Sequence, residues 1–469
     1  MSRSGHAFPR RRAPLPTASD AVQQAPDLRK RDWREVNLKL RHPLSAGERM
    51  IRYLDSSATA FHALTVGDDV ELLVAGGGLT GLLLGVACAS AGLAVAVVDP
   101  QEPAALVAEE FDGRSSAIAY GSRNVLNSIG IWPEIAAEAE PILEIRVVDD
   151  NSPLYLHYDH RELETGTALG YIVENRILRR VLTERATSIP NLSFIAPLAV
   201  ESISASPLAT TALLSNGRPI RARLVAAADG QKSPLRRSAG IRTTEFRYPQ
   251  TSIVTTVRHE RPHRGIAVEH FLPAGPFAIL PMTADRSSIV WTERSELAPR
   301  LIALPEAAFT AELAARFGDF LGTVEPIGPR WSYPLALVLA ERYVAPRMVL
   351  VGEAAHMIHP IAGQGLNLGI RDVAVLAELV IDARRLGLDI GDESILQRYQ
   401  QWRRFDVLAL VAVTDSLNRL FSNSVAPLRL ARDVGLAAVN QIPPLKRLLM
   451  RDAMGMVGEL PRLVRGEPL

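Results

Sequence analysis

The sequence has a single cysteine, Cys88, so no disulfide within the chain can staple its fold. Cys88 sits in an apolar helical pattern and reads as a small core residue. No apolar run approaches the roughly 18 residues that a bilayer-crossing helix needs. An excess of one charge is also missing: 52 Lys and Arg against 51 Asp and Glu leave a net charge of +1. That balance gives no general argument for nucleic acid or an acidic partner. There is no internal repeat, which excludes a solenoid. His356 and His359 stand three apart with no third ligand candidate, so no metal is expected. What is present is 469 residues, 47% hydrophobic and 22% charged, the profile of a soluble globular chain with room for two or three domains.

The most informative stretch is Val349 to Asp372, VLVGEAAHMIHPIAGQGLNLGIRD. Met348 to Val351 reads as a buried strand, broken by Gly352, Glu353 and two alanines. His359-Pro360 forces extended backbone before a tight turn at Gly363, Gln364 and Gly365. Apolar residues then recur at helical spacing through Leu379. A strand thus feeds a glycine loop and a helix N-terminus, whose unpaired N–H groups favour negative charge. Glycines there let a flat, electron-rich ring press against backbone.

A second glycine loop opens the ordered chain. Val70 to Ala75 reads as a buried strand, followed by Gly76-Gly77-Gly78-Leu79-Thr80-Gly81, an Ala/Leu-rich helix to about Ala91, and the strand Ala94 to Val98 ending in Asp99. In a dinucleotide fingerprint the first glycine makes the turn, here Gly76. The second, Gly78, admits the pyrophosphate, and the third, Gly81, lets helix and strand pack closely. The terminal acid, Asp99, holds ribose hydroxyls. Further on, Leu224 to Ala228 reads as a strand ending in Asp229-Gly230. Tyr171 to Leu182 reads as the start of a helix. Ile145–Val148 and Leu154–Tyr158 read as a hairpin, and four runs between Ser252 and Trp291 as an antiparallel sheet. Phe271, Phe277, Pro281 and Trp291 are its candidate pocket-wall residues, with ordinary core the alternative for each.

In this order the glycine fingerprint, the loop Asp112-Gly113-Arg114-Ser115-Ser116-Ala117, the Asp229-Gly230 pair and the run His359 to Asp372 resemble FAD-dependent aromatic hydroxylases, the class A flavoprotein monooxygenases. The His-Pro-x-Ala-Gly-Gln-Gly-x-Asn-x-Gly-x-x-Asp run is most similar to the ubiquinone-biosynthesis hydroxylase family. The resemblance implies an α/β fold. Residues 68–145, 170–240 and 336–384 would form a Rossmann-like FAD-binding domain of the para-hydroxybenzoate hydroxylase type. Residues 146–169 and 241–335 would form an antiparallel β-sheet substrate domain, with Arg330 to Leu335 as the return crossing, and 385–469 a C-terminal helical region. Residues 1–66, rich in Arg, Pro, Ser and Ala, read as a disordered or loosely docked extension.

By the same resemblance, Gly76, Gly78, Gly81 and Asp99 hold the adenosine end of FAD. Arg114, Arg176, Asp229 and Gly230 lie along the cofactor, while Arg179 and Arg180 are expected in solvent. Gly352, Glu353, Gly365, Leu366 and Asn367 hold its ribityl and ring end, and Pro360, Gly363 and Gln364 shape the reacting side. Glu353 departs from the family's usual Asp by one methylene. The implied chemistry is reduction of FAD by NAD(P)H or a reductase partner, addition of dioxygen at the flavin C4a position, and transfer of one oxygen atom from that hydroperoxide to an aromatic ring. The implied substrate is a polyprenylated phenol, within reach of a ubiquinone-biosynthesis complex. The expected location is cytoplasmic, with peripheral contact at the inner membrane through the basic, Leu- and Met-rich segment after Pro443-Pro444. A hydroxylase of another aromatic, or a flavin-binding subunit without turnover, fits the same motifs. No Trp-x-Trp-x-Ile-Pro pattern is present, which disfavours flavin halogenases.

Overall fold

In a computed structural model of the chain, the residues described are 69–102, 111–149, 155–163, 166–359, 363–421 and 439–469. The extension expected over 1–66 and the helical tendency over 422–438 lie outside them. The chain runs through β1 (Asp69–Ala75), α1 (Leu79–Ser90), β2 (Val95–Val98), β3 (Ser115–Ala119), α2 (Tyr120–Ser128), β4 (Glu140–Ile142), β5 (Glu144–Asp149), β6 (Tyr155–Asp159), β7 (Gly170–Glu174) and α3 (Asn175–Ser188). There follow β8 (Leu192–Ile195), β9 (Val200–Ala205), β10 (Thr210–Leu214), β11 (Pro219–Ala227), β12 (Thr243–His259), β13 (Ile266–Leu272), β14 (Gly275–Met282), β15 (Arg286–Arg294) and α4 (Glu306–Phe317). The last part holds β16 (Val324–Ala340), β17 (Val344–Ala345), β18 (Met348–Leu350), β19 (His356–Met357), α5 (Gln364–Arg385), α6 (Glu393–Phe421), α7 (Pro443–Ala453) and α8 (Arg462–Arg465).

The first sheet has the order β17-β18-β11-β1-β2-β8. From β18 to β8 every pairing is parallel. Its inner segments are apolar without alternation, because helices cover both faces of a parallel sheet. Leu72–Ala75, Val95–Val98, Leu224–Ala227 and Met348–Leu350 are all buried. Helices α1 and α5 pack side by side against it, and α5 alone buries fourteen residues.

The second sheet has the order β19-β16-β12-β15-β14-β13-β5-β6 and is antiparallel except between β13 and β5. On one face Ile253, Val257, Phe277, Ile279, Ile289 and Trp291 pack against Phe309, Leu313 and Phe317 of α4. Alternation turns the neighbouring residues to the other face. There Ala267, Leu280, Met282, Ile145 and Tyr158 meet Phe111, Ala117 and Tyr120, which belong to β3 and its surroundings. Phe277 and Trp291 are therefore core on the α4 side rather than pocket wall; Phe271 lies on the face turned toward β3.

One local expectation is corrected. Residues 171–174 are strand, and the helix begins at Asn175. The β-branched pair Ile172-Val173 sits in β7, which is held between β3 and β4. Arg330–Leu335 is the middle of the 17-residue β16, which runs from Val324 in the cluster beside α4 to Ala340 in the core of the first sheet.

Candidate active site

The first glycine loop divides its glycines into two kinds. Gly76 turns the chain at φ +107°, and a Cβ there would lie 2.3 Å from the Ala228 carbonyl oxygen. A Cβ on Gly81 would lie 1.9 Å from the Gly76 carbonyl oxygen. Both positions are closed by backbone. Gly78, which precedes α1, is different: a Cβ there would meet nothing within 4 Å. The unpaired N–H groups at the start of α1 thus face open space beside Gly78. Asp99, buried at the end of β2, accepts the Gly77 N–H at 2.6 Å and the Gln101 N–H at 2.8 Å, which fixes the loop.

The second loop repeats the division. Gly352 follows β18 at φ +62°, and Gly363, also at φ +62°, precedes α5. A Cβ on Gly363 would come within 2.9 Å of the Ala117 Cβ, whereas a Cβ on Gly365 would meet nothing within 4 Å. The two loops are joined at Thr80. A Cβ on Gly352 would lie 3.1 Å from the Thr80 Cγ2, and one on Gly369 would lie 2.7 Å from its Oγ1. Gly365 is one helical turn before Gly369 and so on the same face of α5. The open glycines Gly78 and Gly365 therefore lie on two loops whose helices meet at Thr80.

Asn367 latches the mouth of α5. Its Oδ1 accepts the Ala119 N–H at 2.9 Å, and its Nδ2 donates to the carbonyls of Ala117 and Gly363 at 2.9 and 3.1 Å. The side chain is committed to protein, so what it offers a ring is its main-chain N–H. Leu366 packs against the core. Gln364 borders a cavity of about 190 Å³ shared with Leu368, Arg371, Phe405 and Val413. Pro360 lies outside the described residues.

Asp229 and Gly230 follow β11, where the main chain of Ala228 and Asp229 lies against Gly76. Asp229 Oδ2 accepts the Leu235 N–H at 3.1 Å, while its Oδ1 is buried with no hydrogen-bond partner among the described residues. Burial raises its pKa. Gly230, at φ +79°, is another open glycine. Arg236 ties this segment to the turn after β18, donating to the carbonyls of Gln231 at 2.8 Å and Ala354 at 2.7 Å. Glu353, on that turn, is exposed.

Arg114 and Arg176 lie in a mixed-charge cluster. Arg114 bonds Asp112 through Nε and Nη2 and stacks over Trp331, with 5.1 Å to the ring centroid. Burial would raise the Asp112 carboxyl, but hydrogen bonds from Arg114 and Arg179 outweigh it and hold it low. Arg179 shares that carboxylate at 2.7 Å and is about one-fifth exposed, so it is not the solvated residue expected. Arg180 pairs with Glu138. Arg176 and Arg286 both bind the buried Glu174, each at 2.7 Å, beside Phe111.

Sequence reasoning missed the buried group beneath the second loop. Asp372, fully buried, accepts the Gly352 N–H at 2.8 Å and lies 2.7 Å from His356 Nε2 and 2.6 Å from Arg403 Nε. Burial alone would raise its pKa; His356 and Arg403 outweigh burial and lower it. Asp372 was legible as the last residue of the motif. Arg403, within a helix rich in arginine, carried no signal of burial.

The residues fit a flat dinucleotide-type cofactor. Three open glycines, two helix N-termini and the buried Asp229 carboxyl are the features that such a group requires.

The chain is similar to known proteins. A model of the FAD binding domain family matches residues 69–414. A ubiquinone hydroxylase, UbiL, of Rhodospirillum rubrum is 53% identical over 402 residues, covering 85% of this chain and 93% of that protein. The 3-demethoxyubiquinol 3-hydroxylase of Escherichia coli is 34% identical over 388 residues, covering 82% and 98%. Among solved structures, the p-nitrophenol 4-monooxygenase PnpA of Pseudomonas putida DLL-E4 shares the fold. Its TM-score is 0.70 at 20% identity, over 84% of this chain and 99% of that one.

Proposed function

The chain belongs to the FAD binding domain family, and from that premise we propose that it is an FAD-dependent monooxygenase that hydroxylates the aromatic ring of a polyprenylated phenol in ubiquinone biosynthesis. The observation that carries the reading is the pair of open glycines, Gly78 and Gly365, each at a helix N-terminus beside clamped glycines, on loops whose helices meet at Thr80. When bound there, the flavin supplies the redox chemistry, taking reducing equivalents from NAD(P)H or a reductase partner and delivering one oxygen atom of dioxygen to the ring.

The chain's own residues do the rest. The α1 N-terminus and Gly78 receive the pyrophosphate, and Asp99 has acceptor capacity left for the ribose. The free acceptor of Asp229 and the exposed Glu353 suit ribityl or pyrophosphate-side hydroxyls. Arg114 and Arg176 bring positive charge to the cofactor's edge. The first turn of α5, from Gly363 to Asn367, offers N–H groups and the positive end of a 22-residue helix to a ring that gains negative charge. Gln364 and Pro360 are assigned to the reacting side. The face of the second sheet turned toward β3 forms the opposite wall, and its Val254, Val290 and Val147 keep water from the reacting atoms.

Two finer points belong to the same reading. The cavity beside Gln364 has apolar walls in Leu368, Phe405 and Val413, which suit a prenyl tail. Contact with a lipid surface is supported by Phe405, Leu408 and Val413 of α6 and by Leu445 and Leu448 of α7, all exposed. The C-terminal basic residues contribute less than their number suggests. Lys446 pairs with Glu162, Arg462 with Asp382 and Arg465 with Glu467. No helix among the described residues is long and apolar enough to cross a membrane.

The test is NAD(P)H oxidation by the flavin-loaded protein with and without a 2-polyprenylphenol, with product mass recorded. Stimulated oxidation and a product heavier by one oxygen atom are expected. Oxidation that yields only peroxide with every phenol tried would contradict the reading.

A further inference from the structure

The sheet face turned toward β3 carries one carboxyl, Glu269, that has no partner among the described residues. Strand pairing aligns Val254, Val290, Ala278, Glu269, Val147 and Leu156 in a single row across six strands. Every member but Glu269 is apolar. Glu269 makes no hydrogen bond or ion pair with any described residue, whereas Glu174 and Glu162 are paired with Arg286 and Lys446. Val254, Val290, Glu269 and Val147 all keep some accessible surface. They therefore border a recess rather than a packed seam. In the rows on either side, Ser252, Ser288 and Thr292 bury hydroxyls that have no hydrogen-bond partner among the described residues. A charged group in an apolar wall costs stability unless something pairs with it. Among the described residues, the wall thus holds one unpaired carboxyl flanked by three buried, unpaired hydroxyls.

The recess adjoins the flavin mouth. Ala267, two residues before Glu269 on the same face, packs in one cluster with Ala117 and Tyr120. Ala117 touches the Gly363 position at the start of α5. Residues two apart on a strand are separated by about 7 Å, so Glu269 stands one step beyond the residues that wall the ring.

We propose that Glu269 is the catalytic residue that accepts the phenolic proton of the substrate ring. The proposal rests on the monooxygenase reading above. In this step the phenolic O–H bond breaks, its electron pair stays on the ring oxygen, and a carboxyl O–H bond forms on Glu269. The ring, now a phenolate, is the better nucleophile toward the oxygen that the monooxygenase activity delivers. Packed atoms desolvate the Glu269 carboxyl and push its pKa up to about 7, which suits a base. The other ionisable groups on the elements around it are placed differently. Asp149 and Tyr158 lie on the same face, Arg286 is paired with Glu174, and Lys446 with Glu162. Arg447, Arg451 and Asp452 of α7 are exposed.

The experiment compares the wild-type protein with Glu269→Gln and Glu269→Asp, each with its flavin content and melting temperature checked. The kcat and KM for hydroxylation of a short-chain 2-prenylphenol are measured against pH, and again with a ring-fluorinated analogue whose phenol is more acidic. Expected for the wild type is an acidic limb in kcat, with activity rising as the carboxyl ionises. Glu269→Gln should lose that limb and fall by about 100-fold. Its deficit should shrink at least tenfold with the acidic phenol, which needs the base less, and Glu269→Asp should recover part of the rate. A Gln variant that keeps the limb, or whose deficit is the same for both phenols, overturns the assignment. A wild-type protein that no prenylphenol stimulates sinks the hydroxylase reading itself and takes the Glu269 assignment with it.

Discussion

The Asn367 side chain bonds to the β3 main chain in both directions, accepting the Ala119 N–H and donating to the Ala117 carbonyl, each at 2.9 Å. The first turn of α5 is thereby locked to the strand that follows the Arg114 loop. Asn367→Leu would strand a buried donor and acceptor, at about 1–3 kcal/mol each. Thermal melting should fall accordingly, and the variant should lose flavin on gel filtration that the wild type retains. Asn367→Asp should be nearly as damaging, because a carboxylate would face two carbonyl oxygens.

The Thr80 contact predicts a rescue. Gly369→Ala places a methyl 2.7 Å from Thr80 Oγ1, an overpacking that costs about 1–3 kcal/mol. Thr80→Ala removes the atom in the way. The double variant should recover most of the lost stability in a denaturant titration, giving a non-additive cycle. Additive losses would show that α1 and α5 do not meet there.

Asp372→Asn should be severe. It removes the fully buried one of Arg403's two carboxylate partners, leaving only Asp406 at 2.6 Å, a change that costs up to about 3–5 kcal/mol. The native Asp372 carboxyl is held below its ordinary value of 3.8. Its contribution is therefore complete above that pH and is lost as pH falls through the lower folded value. Urea midpoints at neutral pH should separate wild type from variant clearly.

His359 gives a second acid sensitivity at higher pH. It is fully buried against Tyr248, with ring centroids 5.0 Å apart, and burial pushes its pKa from 6.5 down to about 4. The folded protein keeps it neutral while the unfolded chain protonates near 6.5. Stability is thus present above pH 6.5 and declines as pH falls toward 4, by up to about 3 kcal/mol. His359→Phe should flatten that part of the melting profile.

The two glycine loops were legible because clamped glycines leave a spacing in the sequence that other residues cannot keep. Gly81 touches the Gly76 backbone within its own loop, so that part of the information is local, whereas Gly76 itself is closed by Ala228 from a distant strand end. The charge cluster was less legible. Arg179 meets Asp112 only because β3 pairs with β7 and turns α3 toward the 111–114 loop. The strand at 171–174 was hidden for a related reason, since Ile172-Val173 fits either period and long-range pairing decided it. Glu269 was illegible altogether: the apolar row around it is assembled from six separate strands, and no single run shows that one member differs.

The central claim is that one flavin spans the Gly78 and Gly365 positions, and its most direct test is the FAD content of Gly78→Val and Gly365→Val. A Cβ at either site meets nothing within 4 Å in the protein alone, so both variants should fold with ordinary circular dichroism. Each should nonetheless emerge from purification without flavin absorbance, while the wild type carries one FAD per chain. A folded variant at either position that retains a full complement of FAD would contradict the account.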